Sequence, residues 1–383
     1  MFIDSTFEHH NQNQSYYMKK LFFILFINLS GLPLFAQTPT QDLEVLMIGA
    51  SHQYDPKTKQ DLSGIHTKIR AFKPDAFFGE WLSAEDEKAI KTYWNKENVL
   101  KRIERLKQKN NITEKDLPAT VARHEKVLDK KPEDMKNRID LAVAYYLSHD
   151  AGNGYFQMWN VAKHLQKTPG DTSVFNYARK KFFTPAVDSL QKAINPYIDD
   201  EYDYIAHPMM VEFGMKKIYP MDSQRWDNEW SDAWSKADSV FWTNVNRLKK
   251  DSLSAEGKKA REIGLIVKNR MSYLLEDATK TYGENHQTEA LNGPECSEWL
   301  FRINFYSDEY RELSVFPADL YGWMLHWWWH RNNDMCNNTI ERAKANGLKK
   351  VVIVVGANHA AIMSKQFREK GVKVINILDA PLK

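Results

Sequence analysis

The sequence has little cysteine, little net charge and only one apolar run long enough to suggest contact with a membrane. Its 383 residues include 2 Cys, and 53 basic residues nearly balance 50 acidic ones, for a net charge of +3. That balance, without a basic patch beside spaced aromatic residues, argues against a nucleic-acid partner. No CxxC or Cys/His cluster is present, which argues against a Cys-based zinc site. No P-loop, GxGxxG or GxSxG motif occurs, which excludes the usual nucleotide sites and serine-hydrolase elbows.

What the sequence does contain is typical of a large folded domain. Hydrophobic residues make up 43% and charged residues 27% of the chain, close to globular averages. The 12 Trp, 17 Tyr and 19 Phe are enough for a large core and for a pocket lined by aromatic rings.

The N-terminal region has the layout of a secretory signal peptide. Met18 and two lysines precede the apolar run 21–27, and Ala36 stands before a polar start at Gln37. A basic start, a short apolar segment and a small residue at the junction are typical of such signals, and the run is too short to span a bilayer comfortably. We therefore expect residues 1–36 to be an N-terminal extension with a signal peptide. The mature chain is then periplasmic or secreted, without a membrane span. An uncleaved anchor is the alternative.

Two cysteines remain in the expected mature chain, Cys296 and Cys336. In an oxidising compartment they could pair, but two unrelated buried thiols are equally consistent with the sequence.

Continuous apolar runs predict the strands of one buried sheet. Residues 43–49 and 350–356 are rich in Val, Ile, Leu and Met, residues 76–78 follow the first predicted helix, and residues 372–378 follow the last. Such runs are typical of strands buried on both faces, and compact βαβ units imply parallel pairing. A fifth candidate at 217–220 contains a proline, so we expect it to be short or near an edge.

The segments between these strands are predicted to be helical. We expect residues 37–383 to form a single α/β domain, with a central, mostly parallel sheet, flanking helices and a large helical insertion at about 85–200. A second helical stretch is expected from about 225 to 346.

Two copies of the motif GxxH lie directly after predicted strands. Gly49 and His52 follow the first strand, and Gly356 and His359 follow the strand at 350–356. Glycine allows a sharp turn and a close backbone approach to a ligand, and open parallel sheets bind ligands at the carboxyl ends of their strands. A lone motif is weak evidence, but two copies at equivalent positions predict one shared site.

Two carboxylates are expected at the same edge of the sheet. Glu80 follows the strand at 76–78, and Asp222 follows the candidate strand at 217–220. Imidazole and carboxylate donors suit a divalent metal such as Mn²⁺, Co²⁺ or Zn²⁺. The predicted metal ligands are therefore His52, His359, Glu80 and Asp222. The alternative is that these residues only cap strands or fill the core.

The pattern resembles the TraB/PrgY/GumN/Tiki superfamily, and more distantly the erythromycin esterases and the ChaN-like haem-binding proteins. In that superfamily paired GxxH motifs accompany an acidic residue after the second strand and an Arg-Asn-x-x-Met helix before the last. Arg331, Asn332 and Met335 match that helix. The resemblance covers chiefly residues 43–82, 211–223 and 320–379, and the helical middle departs from it. It implies a metal-dependent hydrolase, and the Tiki branch acts as a peptidase.

Arg331 interrupts an apolar stripe on the Trp-rich helix. Steps of three and four place it between Trp328 and Met335, on the stripe that begins at Leu320 and includes Trp323, Met324 and Trp327. A buried guanidinium needs a partner, and a carboxylate or a substrate oxyanion would serve.

These residues lead to one preferred function and two alternatives. We expect an exported metal-dependent hydrolase. It would activate water to hydrolyse a peptide, ester or amide bond in a small-molecule or peptide substrate. Glu80 would act as ligand or general base, and Arg331 would stabilise the oxyanion. The alternatives are a metal-independent hydrolase like the erythromycin esterases and a non-catalytic protein that binds haem or another small ligand. The sequence leaves the oligomeric state open.

Overall fold

The computed structural model describes residues 42–54, 57–294 and 308–382, with side chains for all of these except 266–279 and 308–309. The expected signal peptide and Cys296 lie outside the described residues, so their predictions stay predictions. Cys336 is a buried free thiol, and burial raises its pKa.

Five parallel strands form one sheet, which confirms the predicted fold class. They are β1 (Glu44–Ala50), β2 (Ala76–Gly79), β3 (Tyr219–Pro220), β4 (Lys350–Gly356) and β5 (Lys373–Asn376), in the order β3-β2-β4-β1-β5. The proline-containing strand β3 is two residues long and lies at an edge, as its proline predicts.

The register of β1 and β4 brings the two GxxH motifs together. Gly49 is the partner of Val355, and Ala50 is the partner of Gly356. Both strands are buried almost throughout their length. The first and last βα units are therefore neighbours, although more than 300 residues separate their histidines.

Fourteen α-helices of the described chain surround this sheet. They are α1 (Ser63–Phe72), α2 (Ala84–Ala89), α3 (Lys96–Asn110), α4 (Leu117–Lys130), α5 (Met135–Leu147), α6 (Ala151–Lys167), α7 (Thr172–Lys181), α8 (Leu190–Ile194), α9 (His207–Glu212), α10 (Asp227–Lys250), α11 (Ala255–Tyr282), α12 (Gln287–Asn292), α13 (Ala318–Ala345) and α14 (Ala357–Glu369).

The sheet has helices on both faces because its strands alternate between two cores. Leu46 and Ile48 point into a core shared with α1, α5 and α6. Val45 and Met47 point into a second core, which α13 and α14 cover. A third cluster lies between α10, α11 and α13. This three-layer arrangement leaves the carboxyl ends of the strands open to a cavity.

The helical insertion is longer than the sequence predicted. It runs from α2 to the end of α9 at Glu212, and a turn of π-helix at Tyr202–Ala206 precedes α9. The predicted limit of 200 is therefore too early. Several insertion helices begin at side-chain caps: Ser83, Asp134, Asp150 and Asp171 accept hydrogen bonds from backbone N–H groups of the first turn.

No helix in the described ranges is long and apolar enough to cross a membrane.

Candidate functional site

The two motif histidines lie at one edge of the sheet in different environments. His52 is in the loop after β1, and its side chain is 64% exposed. His359 is in the first turn of α14, and its side chain is 5% exposed. The ring of His359 stacks on Trp328 at a centroid distance of 4.3 Å.

Glu80 lies between the two imidazoles. Its Oε1 is 3.9 Å from Nε2 of His52, and its Oε2 is 3.6 Å from Nε2 of His359. Oε1 also accepts a 2.6 Å hydrogen bond from the backbone N–H of Gly356, while the N–H of Glu80 donates to the Tyr202 hydroxyl. Burial raises the pKa of this carboxyl above its usual value, an effect that the charges of His52 and Arg331 oppose.

Each histidine uses Nδ1 to contact an oxygen on another element. Nδ1 of His52 donates to Oε1 of Glu201 at 2.8 Å. Nδ1 of His359 lies 2.8 Å from Oδ1 of Asn332. The Asn332 amide nitrogen donates to the Trp328 carbonyl, which fixes the orientation of the amide and makes Oδ1 an acceptor. Both rings therefore carry hydrogen on Nδ1, and both turn Nε2 towards Glu80.

The two histidines also differ in proton affinity. The hydrogen bond to Glu201 is the largest cause that raises the pKa of His52 to about 9. Burial lowers the pKa of His359 well below its usual value, and the positive charges of Arg331 and His52 act in the same direction. One site thus holds a protonated and a neutral imidazole at neutral pH.

The motif glycines provide space rather than an unusual backbone conformation. Neither Gly49 nor Gly356 has a positive φ, so neither position requires glycine for its backbone conformation. A Cβ on Gly356 would lie 2.6 Å from Nε2 of His52 and 3.4 Å from Oε1 of Glu80. A Cβ on Gly49 would lie 3.2 Å from Cα of Ala357 and Cβ of Ala360. One glycine makes room for the site, and the other makes room for α14.

Asp222 lies in the same cavity but is engaged by other groups. Both of its oxygens accept from Arg331, which approaches through Nε and Nη2 at 3.0–3.2 Å. Oδ1 also accepts from the Ser223 N–H, and Oδ2 accepts from the Gln224 amide. Asp222 is therefore the partner of the Arg331 guanidinium, and both of its oxygens already accept hydrogen bonds from protein groups.

Arg331 lines the cavity and has the buried carboxylate partner that its place on an apolar stripe requires. Its side chain is 16% exposed, and the guanidinium lies 5.7 Å from the ring centroid of Trp328. The charges of Asp222 and Glu80 raise its pKa against the effect of burial. The predicted stripe is only partly buried, because Met324 and Met335 are in the core while Trp323 is 56% exposed.

These groups line a cavity of about 750 Å³ at the carboxyl ends of the strands. Trp81, Tyr155 and Tyr202 contribute its wall on the side of the insertion, and Trp230 and Trp328 contribute another. The predicted aromatic pocket therefore has a location, and it adjoins all four predicted metal ligands.

Two important contacts were missed in the sequence. Glu201 follows two aspartates and precedes the π-helix, and no motif links it to His52, which is 149 residues away in the sequence. Asn332 stands in the Arg-Asn-x-x-Met motif, and a role for its amide could have been inferred from that motif. A π-helical turn, which is often found at functional sites, is not visible in the sequence.

Three side chains of the site form a group that could hold a metal ion. Ligand atoms of His52, Glu80 and Glu201 lie within 4.8 Å of one another. Glu201 already accepts from Nδ1 of His52, an arrangement that orients metal-binding histidines in proteins. Among the described residues, His359 is not part of that group, although its Nε2 lies 3.6 Å from Oε2 of Glu80.

Comparisons of the chain with family models, with curated proteins and with solved structures find no match. The resemblance to the TraB/PrgY/GumN/Tiki superfamily thus stays a prediction.

Proposed function

We propose that this protein is a metal-dependent hydrolase whose metal is held by His52, Glu80 and His359. The observation that carries the proposal is the orientation of the two imidazoles. Each has its Nδ1 hydrogen bonded to an oxygen, Glu201 or Asn332, and each turns Nε2 to a different oxygen of Glu80. Two imidazoles and one carboxylate are a common ligand set for a catalytic metal with open positions.

The charge of the site favours a cation between these groups. Glu80 is buried, so water solvates its negative charge poorly, and its pKa is raised for that reason. A divalent ion held there would lower the pKa of a water molecule towards about 7 and would polarise a carbonyl. Mn²⁺, Co²⁺ and Zn²⁺ all suit nitrogen and carboxylate donors.

Arg331 is positioned to stabilise a developing negative charge. Asp222 fixes the guanidinium through two of its nitrogens, and the aromatic face of Trp328 limits its movement. A fixed cation beside a cavity stabilises an oxyanion without reorganisation during the reaction. We propose this role for Arg331, and we propose that Asp222 positions it.

A metal-independent hydrolase is the second candidate, and the neutral state of His359 favours it. Burial keeps this imidazole unprotonated, so Nε2 could accept a proton from water directly. His52 is unsuited to that role because its raised pKa keeps it protonated at neutral pH.

Metal analysis of the full chain tests the leading proposal. The protein is stripped with a chelator, dialysed against Mn²⁺, Co²⁺ or Zn²⁺ and analysed for metal content and for hydrolysis of a panel of esters and amides. We expect one metal per chain, and hydrolysis that is lost with chelator. Glu80→Gln, His52→Ala and His359→Ala should each lose the metal with an unchanged far-UV spectrum. Glu212→Gln is the matched control, since Glu212 pairs with Arg70 on the surface.

The remaining outcomes separate the alternatives. Hydrolysis that persists in chelator, with no bound metal, contradicts the leading proposal and supports direct activation of water by His359. A Soret band in the optical spectrum of the purified protein supports the non-catalytic haem-binding alternative. Full metal content in the Glu80→Gln variant places the metal elsewhere.

A further inference from the structure

The helical insertion contains a second cavity, apart from the site at the sheet edge. Its volume is about 430 Å³, and residues of α4, α5, α6 and α9 and of the segment after α9 line it. Helix α6 borders both cavities, because Tyr155 lines the first while Phe156, Gln157 and Asn160 line the second. Of the described residues, none lines both. The second cavity therefore has a chemistry of its own.

Arg138, on α5, contributes a guanidinium to the wall of this second cavity. Its Nε and Nη2 donate to the Pro132 carbonyl at 3.0 and 2.8 Å, and its Nη1 donates to Oε1 of Gln157 at 2.7 Å. All three residues line the cavity. A guanidinium has five N–H donors, so two remain beyond these three hydrogen bonds. Both acceptor groups are neutral, so neither compensates the positive charge.

The charge of Arg138 lacks a partner in the described part of the chain, whereas the two carboxylates of the second cavity each have one. Glu125 lies 3.0 Å from Nζ of Lys217, and Asp129 lies 2.6 Å from Nζ of Lys216. Burial alone lowers the pKa of Arg138, and no described carboxylate is close enough to oppose that effect. The unmatched charge of the cavity is therefore one positive charge, which an anionic ligand would compensate.

The second cavity also has a large apolar surface. Its apolar lining residues come from four elements: Leu128, Leu141, Phe156, Val211 and Met215. Leu141 and Phe156 are buried, while Val211 is 50% exposed. A concave, mainly apolar surface with a few polar groups is typical of a site for a small molecule. A ligand that matches both the apolar surface and the cation has an anionic head and an apolar body.

We propose that the second cavity binds a small carboxylate with an apolar body, and that the carboxylate pairs with Arg138. Its oxygens accept from the N–H groups of the guanidinium that the protein leaves unused, and hydrogen bonds between ionised groups are stronger than those between neutral groups. An alcohol of the same length keeps only the apolar contacts. An alkylammonium brings a like charge towards the guanidinium. The binding needs neither metal nor hydrolysis, so it does not depend on the proposed function.

Three probes with the same apolar chain test the proposal. They are octanoate, 1-octanol and octylammonium, which differ in the charge of the head group. Their dissociation constants for the full chain are measured by ligand-observed NMR at neutral pH in chelator. We expect octanoate to bind about tenfold more tightly than either of the others, the effect of one hydrogen bond between ionised groups.

Two variants locate the bound carboxylate. Arg138→Gln removes the charge, and octanoate should then bind no more tightly than octanol. Val211→Trp fills the cavity from a half-exposed position on α9 without changing Arg138, and all three probes should bind at least about tenfold more weakly. This variant tests the location even if Arg138→Gln folds poorly. Arg123→Gln is the matched control, since Arg123 is exposed on α4 outside the cavity lining, and it should change nothing.

Equal affinity for octanoate and octanol in the native protein overturns the proposal, as does tighter binding of octylammonium. A preference for octanoate that survives in Arg138→Gln, or an affinity that is unchanged in Val211→Trp, places the carboxylate elsewhere and also overturns it. Because the measurements are made without metal or turnover, failure of the metal-binding experiment would refute the proposed function and leave the carboxylate site untouched.

Discussion

The two GxxH loops have the same motif and opposite chemical environments. The loop after β1 presents an exposed imidazole whose partner is the carboxylate of Glu201, and the pKa of His52 is raised to about 9. The loop after β4 presents a buried imidazole whose partner is the amide of Asn332, and the pKa of His359 is lowered. The motif places the rings, while residues from other elements set their proton affinity.

This difference has a consequence for metal binding. Only a deprotonated Nε2 can ligate a metal. His359 meets that condition at neutral pH, whereas His52 must first release a proton. The two loops therefore contribute unequally, with His359 as the preformed ligand and His52 as the ligand that competes with protons.

The largest effects that we expect come from alanine substitutions of the two motif glycines. One substitution should reduce metal affinity, and the other should reduce stability. In Gly356→Ala the new Cβ displaces the exposed imidazole of His52, which can swing into solvent, so metal affinity should fall about 100-fold with little loss of stability. In Gly49→Ala the Cβ presses on Ala357 and Ala360, which cannot move alone. That variant should lose about 1–3 kcal/mol of unfolding free energy.

Calorimetric titration with metal and denaturant unfolding of both variants check this prediction. Normal metal affinity in Gly356→Ala would mean that His52 lies outside the metal site. An equal loss of stability in both variants would mean that the two loops play the same structural role.

Of the two histidines, only His52 should make metal affinity depend on pH above neutrality. Between pH 6.5 and 9 the folded protein carries a proton on His52 that binding must displace, so the affinity should rise by up to about tenfold per pH unit and then level off. His359 is already neutral in this range and should contribute no slope. Proton release, measured by calorimetry in buffers of different ionisation enthalpy, should approach one proton per metal at pH 7. Release of two protons in both the native protein and Glu80→Gln, at a pH below the pKa of a metal-bound water, would show that His359 is also protonated.

The sequence predicted the fold and the motif loops because both depend on local patterns. The Val- and Ile-rich run of β4 is typical of a strand buried on both faces, and the residue that follows such a strand must lie at its carboxyl end. If the two motif histidines share one site, the strands that precede them must be close together, and β1 and β4 are indeed neighbours. Arg331 was predictable because a guanidinium on an apolar stripe requires a buried partner, which is Asp222.

The partners of the histidines were not predictable in the same way. Glu201 reaches His52 only because the insertion folds back over the sheet, and the mixed charges of that insertion do not specify how it packs. Helical spacing puts Trp323 on the apolar stripe of α13, yet its side chain is exposed. The stripe is wider than the face of α13 that the neighbouring elements cover. Asp222 follows a strand in the same way as the other predicted ligands, so its position in the sequence does not reveal that its partner is Arg331.

Exchanging the partners of the two histidines should shift their pKa values in opposite directions. Glu201→Gln removes the main cause of the raised value, so the pKa of His52 should fall by at least about one unit from about 9. Asn332→Asp places a carboxylate behind His359 and should raise its pKa. NMR titration of the two imidazole resonances in chelator measures both changes. If the pKa of His52 is unchanged in Glu201→Gln, the negative charge of Glu80 is the cause of the raised pKa instead.

The smallest effect we expect is on stability in mild acid. The folded-state pKa of His359 lies below the value of about 6.5 in the unfolded chain. As the pH falls below 6.5, the unfolded chain therefore binds a proton that the folded chain does not, and stability decreases by at most about 1.4 kcal/mol per pH unit for this group. His207, which is fully buried and has its pKa lowered to about 3, acts in the same direction.

Comparison with His359→Gln isolates the contribution of His359, because His207 is unchanged in that variant. Urea unfolding of both proteins in chelator should give parallel curves of stability against pH above 6.5. Below that pH the curve of the variant should be flatter. His52 contributes the opposite sign at higher pH, because stability from its raised pKa is lost as the pH rises from 6.5 through about 9. Identical slopes for the native protein and His359→Gln below pH 6.5 would show that His359 takes up its proton in the folded state, and the contrast between the two loops would then disappear.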